Sequence, residues 1–405
     1  MTDFIKKDRL ANLGYFAIGK EVSRGVAVRP SVVLPLYEES LVTSLNLDLD
    51  NPIMGNRFAR YNHFKGQRDH KGVLKVLGEP KTLPHLLNML LDKGNTTTSG
   101  GSYTHPYTLG DLSEASYTIE ILKGDIIYRY YGVEASKIIP LFEANVLKFN
   151  INVSALGQFS IAPITSAATT ALVLSTEYDD MPNKGLVVGD TLVFVKVTGG
   201  ISDTYEEKVI SAVNVNGTGV TVGSLSGTFT TGDYCYIKKQ TLTPVLGEPF
   251  KWSGTEFCFG DDATAALAAS QTSVEKGSTF ELINEFEDEA GAKRSGSLDP
   301  SALVRKQGDV TIKIKKSFQD YKDFERFISV RKRALVIKLY STIISGSIWN
   351  ELRITINNMK AKDVPLPLKT GEIIYLDQDY SPQYDTTDTQ AFDVKVVNDI
   401  AGTSF

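Results

Sequence analysis

Short apolar runs of the kind that form β-strands recur along almost the whole chain. Examples are DIIYRYYGV (125–133), VLKFNINVSAL (146–156) and ALVIKLYSTII (334–344). Such β-branched and aromatic runs, often alternating with polar residues, fit pleated strands that are buried on one or both faces. Further runs of the same kind lie at 118–122, 192–197, 310–315, 352–358, 372–377 and 393–398. The chain of 405 residues is therefore predicted to be mainly β.

Two segments have the apolar period of a helix instead. They are TLPHLLNMLLDKG (82–94) and SFQDYKDFERFISVRKR (317–333). In the first, Thr82 is a candidate cap, Pro84 lies in the first turn and Gly94 follows the last apolar residue. Each predicted helix has one apolar stripe, so we expect each to cover one face of a sheet.

The two helices indicate an internal repeat. A shift of 238 residues places three leucines of the first helix on apolar residues of the second: Leu83 on Tyr321, Leu86 on Phe324 and Leu90 on Ile328. The same shift places Leu74 and Val76 on Ile312 and Ile314. Further on, residues 139–141 and 364–366 match at a shift of 225. These matches predict a duplicated unit of strands and one helix.

The region between the two copies has a different composition. Residues 160–240 are rich in Thr, Gly, Val and Ser, and NVNGTGVTVG (214–223) has an Asn-Gly hairpin signal between alternating strands. We therefore predict a first unit at 1–159, a small inserted β-barrel or sandwich that packs separately at 160–240, and a second unit at 241–405. Each of the two larger units is expected to be a β-sandwich flanked by one α-helix.

Composition limits the classes of protein that this chain can belong to. Its net charge of −5 disfavours nucleic-acid binding by the molecule as a whole. Cys235 and Cys258 are too few for a disulfide framework, and both are expected to be buried. The first residues lack a secretory signal, and no stretch reaches the ~18 apolar residues of a membrane span. We expect a protein made in a reducing cytoplasm, with no membrane partner.

Catalytic signals are weak. All four histidines lie before residue 106, so a histidine-based centre would have to use one of them. The glycines at 217, 219 and 223 approach a dinucleotide fingerprint, but they have the wrong spacing and lie in a predicted hairpin. The sequence therefore predicts no enzyme activity, no catalytic residues and no cofactor.

Metal binding is also weakly indicated. His63, Asp69 and His70 are residue types that zinc uses, but their spacing matches no closed site. Asp48 and Asp50, and the acidic stretch 376–393, have oxygen ligands for calcium. Solvated surface segments explain both better, so no metal site is predicted.

A basic strip with interleaved aromatic residues occupies NPIMGNRFARYNHFKGQRDHKG (51–72). Its cations are Arg57, Arg60, Lys65, Arg68 and Lys71. Under the repeat it falls opposite an acidic segment at 281–296 with the carboxylates Glu281, Glu285, Glu287, Asp288 and Glu289. The strip could contact phosphates or be a solvated loop. Because the two copies have opposite charge there, we predict instead an assembly loop whose cations meet these acids on neighbouring copies.

The N-terminal third resembles the tail tube (major tail) proteins of long non-contractile-tailed bacteriophages. The resemblance rests on GYFAIGKEVSRGVAVRPSVVLPL, then PIMGNRF opening a long polar loop, then GVLKVLGEPKTLPHLLNMLL, and it covers about residues 14–155. The second copy fits by pattern alone. The inserted region departs from the family pattern, and the resemblance places it outside the tube as decoration.

This resemblance implies a structural virion protein, assembled in the host cytoplasm and located in the virion tail. Strands of neighbouring subunits would join around a lumen, and rings would stack into a tube for DNA. Two units per chain imply a trimeric ring with pseudo-sixfold symmetry, and one unit implies a hexamer. The implied partners are further copies of the chain, the tape measure protein and DNA in the lumen, and tail tip and tail terminator proteins.

Two other classes of protein stay open from the residues alone. A monomeric β-rich surface adhesin or carbohydrate-binding protein would account for the Thr- and Gly-rich insert and the aspartates. A β-class hydrolase would need one of the four histidines, or a pair of acids, in a pocket.

Overall fold

The mainly-β prediction is confirmed by the computed structural model of the chain. The model describes residues 14–50, 62–110, 115–176, 183–198, 201–214, 218–275, 277–286, 299–300, 302–318, 321–365, 374–387 and 390–401. Within these residues there are 26 strands and three short α-helices. The strand pairs between these elements are antiparallel, which suits strands connected by hairpins and short returns.

The first part of the chain holds twelve strands and one helix. They are β1 (Phe16–Lys20), β2 (Val32–Val33), β3 (Leu36–Glu39), β4 (Val42–Asp50), β5 (Asn62–Leu77), α1 (Leu83–Asn88), β6 (Asp92–Lys93), β7 (Thr97–Ser99), β8 (Ser102–Thr108), β9 (Tyr117–Lys123), β10 (Ile126–Glu143), β11 (Val146–Ala155) and β12 (Gly157–Phe159). The central strands pair in the order β1–β9–β10–β11–β5–β4. The short β12 pairs with the beginning of β10.

The inserted region forms a separate sheet. Its strands are β13 (Ile161–Ala168), β14 (Ala171–Leu174), β15 (Thr191–Thr198), β16 (Ile201–Val213), β17 (Gly219–Val222), β18 (Phe229–Thr230) and β19 (Tyr234–Ile237), in the order β14-β17-β16-β15-β19-β13-β18. However, its apolar cluster also contains Tyr15, Ala17 and Ile127 from the first part of the chain. The insert therefore does not pack separately, because it shares a core with the sheet beneath it.

The last part of the chain repeats the pairing order of the first. Its elements are β20 (Thr255–Gly260), α2 (Ala263–Ala268), β21 (Thr279–Ile283), β22 (Asp309–Ser317), α3 (Lys322–Ile328), β23 (Arg333–Ser345), β24 (Ile348–Asp363), β25 (Tyr375–Pro382) and β26 (Phe392–Asn398). The central strands pair in the order β20–β23–β24–β25–β22–β21. The last strand, β26, pairs with the beginning of β24, as β12 does with β10.

Both predicted helices are present but shorter than their apolar patterns. After α1 the amides of Leu90 and Leu91 still bond to the Leu87 carbonyl, and the chain then enters β6, which pairs with β8. The second helix, α3, is bounded by β22 and β23, so the ends of the predicted segment 317–333 belong to strands.

The third helix, α2, was not predicted, because its alanine-rich sequence has no apolar period. The Asp262 side chain caps it by accepting from the Ala265 amide at 2.7 Å.

Segment 372–377 was predicted as a strand, but β25 begins at Tyr375 and continues through polar residues to Pro382. Asp377 and Asp379 face Lys315 and Lys313 of β22 in this strand. The part of the acidic stretch that we expected as a solvated loop is therefore paired sheet.

A single hydrophobic cluster spans the first and last parts of the chain. It includes Leu74 and Val76 of β5 together with Ile312 and Ile314 of β22, all fully buried. These are the positions that the 238-residue shift places on one another. Burial of this apolar surface is the main driving force for folding, so the two parts stabilise each other.

The insert is fixed to the first sheet by a buried arginine. Arg129 of β10 is fully buried and ion-paired to Glu120 of β9. Its guanidinium also donates to the Asp190 carboxylate of the insert at 2.9 Å and to the Gly185 carbonyl at 2.9 Å. Because both carboxylates are themselves buried, removal of the arginine would leave two uncompensated charges.

Replacing Arg129 with methionine should lower the free energy of unfolding by about 3–5 kcal/mol, the cost of breaking a buried ion pair from one side. Urea unfolding followed by circular dichroism measures this. The control is Lys238→Met, which removes an exposed pair with Glu207 on the insert and should cost about 1 kcal/mol or less. Equal losses in the two variants would contradict the role of Arg129.

Candidate assembly interface

The second half of the basic strip is a strand, not a loop. Residues 62–72 belong to β5, which pairs with β4 from Val42–Lys71 to Asp50–Asn62. The alternation rules missed this hairpin because the residues of β5 before Gly72 are polar on both faces apart from one phenylalanine. The expectation of a long loop is therefore wrong for residues 62–72, and residues 51–61 lie outside the described part of the chain.

Two glycines let the strands of this hairpin approach each other. A Cβ atom added at Gly66 would lie 1.9 Å from the Asn46 carbonyl oxygen, and one at Gly72 would lie 2.4 Å from the Leu41 Cα. The pairing register shifts between Leu45 and Leu47, next to Gly66, as at a β-bulge. Gly66 and Gly72 are thus positions of close contact between β4 and β5.

The predicted assembly cations have different surroundings. Arg68 Nε lies 2.7 Å from Asp299 within the same chain, and its side chain is mostly buried. Lys65 and Lys71 occupy β5 opposite Leu47 and Val42, and the side chain of Lys65 is outside the described atoms. Arg57 and Arg60 also lie outside the described residues.

His70, a candidate metal ligand in the sequence, is held by protein groups. Its Nδ1 lies 2.8 Å from the Thr43 hydroxyl, and its Nε2 lies 3.2 Å from Asp299. Asp299 therefore contacts both Arg68 and His70 and ties the base of the β4–β5 hairpin to the last part of the chain.

Of the predicted acidic counterpart, two members can be placed. Glu281 lies in β21 and pairs with Lys137 of β10 at 2.6 Å. Glu285 follows β21 and is exposed, and its carbonyl accepts from the Lys306 amide. Glu287, Asp288 and Glu289 lie outside the described residues. The structure thus brings Glu281 to a lysine of the same chain, and that lysine belongs to neither predicted set.

The Glu281–Lys137 pair belongs to a junction at which the two sheets join. Ile283 and Leu282 of β21 face Lys137 and Ile138 of β10, and the Asn284 amide donates to the Ser136 carbonyl at 2.8 Å. Backbone pairing thus continues from one sheet into the other. We call this pairing of β10 with β21 the internal junction.

An arginine reinforces the internal junction. Arg305 donates to the carbonyls of Ala135 and Met89, both at 3.0 Å, and to the Glu134 carboxylate at 3.0 Å. Arg24 pairs with the same carboxylate. Burial raises the pKa of Glu134 to about 7, although the two guanidinium groups oppose that rise. Sequence reasoning missed Glu134, Arg305 and Lys137, because no local pattern distinguishes them from other charged residues of a strand or loop.

Comparisons with known proteins do not assign the chain to a family. No protein-family model matches it, and no curated protein matches its sequence. Among the described helices, none has the length and apolar character needed to cross a membrane.

Replacing Gly72 with alanine should destabilise the fold by about 1–3 kcal/mol, because the new methyl group would overlap backbone atoms of Leu41. Differential scanning calorimetry measures the effect as a lower melting temperature. Gly227→Ala is the control, since the nearest atom to its added Cβ is a Phe229 ring carbon at 3.8 Å. A Gly72→Ala variant that melts with the wild type would show that β4 and β5 do not lie this close.

Proposed function

We propose that this protein is a structural virion protein that polymerises as stacked rings to form the tail tube of a long-tailed bacteriophage. The observation that carries the proposal is that one order of strand pairing occurs twice in the chain, with the two sets joined by the internal junction. A head-to-tail contact between two similar units is one that further copies of the chain can repeat. A contact that repeats in this way generates a ring when its rotation closes.

The repeated order supports a duplicated unit and therefore a ring of three chains. In this proposal the two copies are residues 14–159 and 255–398, and three chains supply six copies. The resemblance of the N-terminal third to tail tube proteins supports the same arrangement. The insert covers the face of β1, β9 and β10 opposite the main core, as expected for decoration outside a tube.

The lumen of such a tube would hold the tape measure protein and later DNA, and the tube ends would contact tail tip and tail terminator proteins. The net charge of −5 supports a conduit, because an acidic surface repels phosphates and lets DNA slide. In this proposal the cations of the β4–β5 hairpin serve contacts between rings, not DNA.

One observation favours a second candidate, a monomeric carbohydrate-binding protein or adhesin. An open groove of about 840 Å³ lies between the β7–β8 turn and the β23–β24 turn. The groove contains half-exposed Trp349, in edge-to-face contact with Tyr340, and several serine and threonine hydroxyls. An aromatic ring beside hydroxyls suits the apolar face and hydroxyl groups of a sugar.

Negative-stain microscopy and light scattering of the purified chain separate the two candidates. The tail tube proposal expects rings or tubes, and a smallest assembly of three times the mass of one chain. Strict monomers at high protein concentration, with a glycan bound in the groove, would support the second candidate and overturn the first.

Reversing three cations of the basic strip should block the growth of tubes and leave rings intact. The variant is Arg57→Glu/Arg60→Glu/Lys65→Glu, which spares Arg68 because that residue is ion-paired inside the chain. Microscopy should show single rings, since like charges would then meet at the ring contact. Lys238→Glu/Lys239→Glu on the insert is the matched charge control and should form normal tubes. Normal tubes from the triple variant would remove these cations from the assembly contact.

A further inference from the structure

We propose that the strand edge of one chain between β3 and β4, at Leu41 and Val42, pairs with the end of β24 in a neighbouring chain. The pairing would use the register in which β21 pairs with β10 inside one chain. This interface rests on the proposed ring assembly and specifies the two surfaces that meet. The internal junction is the template, because it already joins a second-copy edge to a first-copy strand. Between two chains, the same kind of contact would join the first-copy edge at β3 and β4 of one chain to the second-copy strand β24 of its neighbour.

The edge that would dock follows from pairing across the sheet. In the second copy, Leu282 and Ile283 face Val310 and Asp309 of β22. The 238-residue shift moves those two β22 positions onto Gly72 and Lys71 of β5. The residue beside Gly72 is Leu41, and the one that faces Lys71 is Val42. Leu41 and Val42 therefore correspond to Leu282 and Ile283, and both leucines are buried.

The strand that would receive this edge is found in the same way. Ile138 of β10 faces Ile151, which faces Leu74 of β5. In the second copy Ala361 of β24 faces Tyr380, which faces Ile312 of β22.

Because Leu74 and Ile312 correspond, Ala361 corresponds to Ile138 and Lys360 to Lys137. Ile138 and Ala361 both pack on the main hydrophobic cluster. The preceding position in each strand is a lysine.

Backbone pairing leaves this part of β24 open on the required side. On β10 the pairing with β9 ends at Val133, and β21 then takes over at Lys137. On β24 the pairing with β23 ends at Met359. Among the described strands, none continues that side at Lys360 and Ala361, which is where the corresponding edge of a neighbour would pair.

Apolar residues on the docking edge are uncovered in the single chain. Val42 and Leu45 are 51% and 58% exposed, although they correspond to Ile283 and Phe286. Phe286 is buried and Ile283 is half-buried, because the first copy lies against them. Exposed apolar residues beside an open strand edge mark a contact surface.

A complementary apolar surface is uncovered beside the receiving strand. Leu83 of α1 and Leu90 just after it are fully buried, and Asn284 and Arg305 of the second copy donate to the backbone carbonyls of Leu90 and Met89 there. The corresponding residues are Tyr321, just before α3, and Ile328, its last residue, and they are 74% and 65% exposed. When the first copy of a neighbouring chain docks, its residues after β3 would lie beside α3. Asn284 lies beside the end of α1 in the same way within one chain.

The docking edge is protected in the single chain. The Leu41 amide donates to the Glu39 carboxylate, and the Leu41 carbonyl accepts from Lys123 at 2.8 Å and Tyr130 at 3.1 Å. Docking would replace these side-chain bonds with backbone bonds to Ala361. Charged side chains over a strand edge are a recognised defence against unwanted pairing, so the edge opens only to a partner with matching register.

A cysteine cross-link tests the register. Lys137 and Ile283 are a pair without mutual hydrogen bonds, since the Asn284 amide donates to the Ser136 carbonyl beside them. Such pairs have the short Cα separation that a disulfide needs. The corresponding intermolecular pair is Val42→Cys with Lys360→Cys. Oxidation of this double variant should give covalent oligomers up to three chains on a non-reducing gel.

The positive control is Lys137→Cys/Ile283→Cys, which should oxidise within one chain and give no covalent oligomer. Each single variant at 42 or 360 should give no oligomer beyond a dimer, because native Cys235 and Cys258 are buried.

Rings in the microscope without a cross-link between 42 and 360 would overturn this interface and leave the proposed function standing. A cross-link confined to one chain would also overturn it. Absence of any assembly would overturn the proposed function, and this interface with it.

Discussion

Backbone pairing between the first and last parts of the chain, of β10 with β21 and of β8 with β26, is the constraint on which the rest of the architecture depends. A sheet edge presents unpaired amides and carbonyls, and each sheet of this chain ends at such an edge. Joining the second sheet to β10 satisfies one of these edges and brings the two apolar faces into one cluster. At this junction Arg305 reaches the end of α1, and the pairing of β26 with β8 holds the two parts together at a second place.

Corresponding faces of the two sheets are used differently. The face of β1, β9 and β10 that points away from the main core is covered by the insert, with Arg129 and Asp190 buried between them. The corresponding face of β20 and β23 is covered at one end by α2, which packs on Cys258 and Val336. Farther along, Lys338 and Glu256 of that face remain partly exposed. In the proposed tube, one insert for every two copies would make decorated and bare faces alternate along the wall.

Part of this fold can be predicted from the sequence, and a physical cause separates the elements that were predicted from those that were missed. The strands that line the core and helix α1 were predicted because burial imposes an apolar period, whereas α3 was predicted from an apolar stripe that stays largely exposed in the single chain. The part of β5 before Gly72 and the second half of β25 were missed because their residues are mostly polar on both faces. For the same reason the 238-residue shift identified core positions of β5 and β22 and gave no account of Lys137 or Arg305.

Local sequence patterns do not predict which residues of distant segments contact each other. Opposite charges at 51–72 and 281–296 suggested that these segments meet, and Arg68 does reach the last part of the chain, at Asp299. However, Glu281 meets Lys137, because the register of β21 on β10 decides its partner. Charge in a sequence indicates that a cation will find an acid, and strand register determines which one.

The difference in exposure between corresponding residues is a physical argument for closed assembly. An isolated chain leaves Val42 and Leu45 exposed at one end and Tyr321 and Ile328 exposed at the other. In the proposed interface, adding chains head to tail would bury both sets at every contact, but an open filament would keep one set exposed at each of its two ends. Only a closed ring removes both ends, so closure gains the burial of one further contact without ordering another chain.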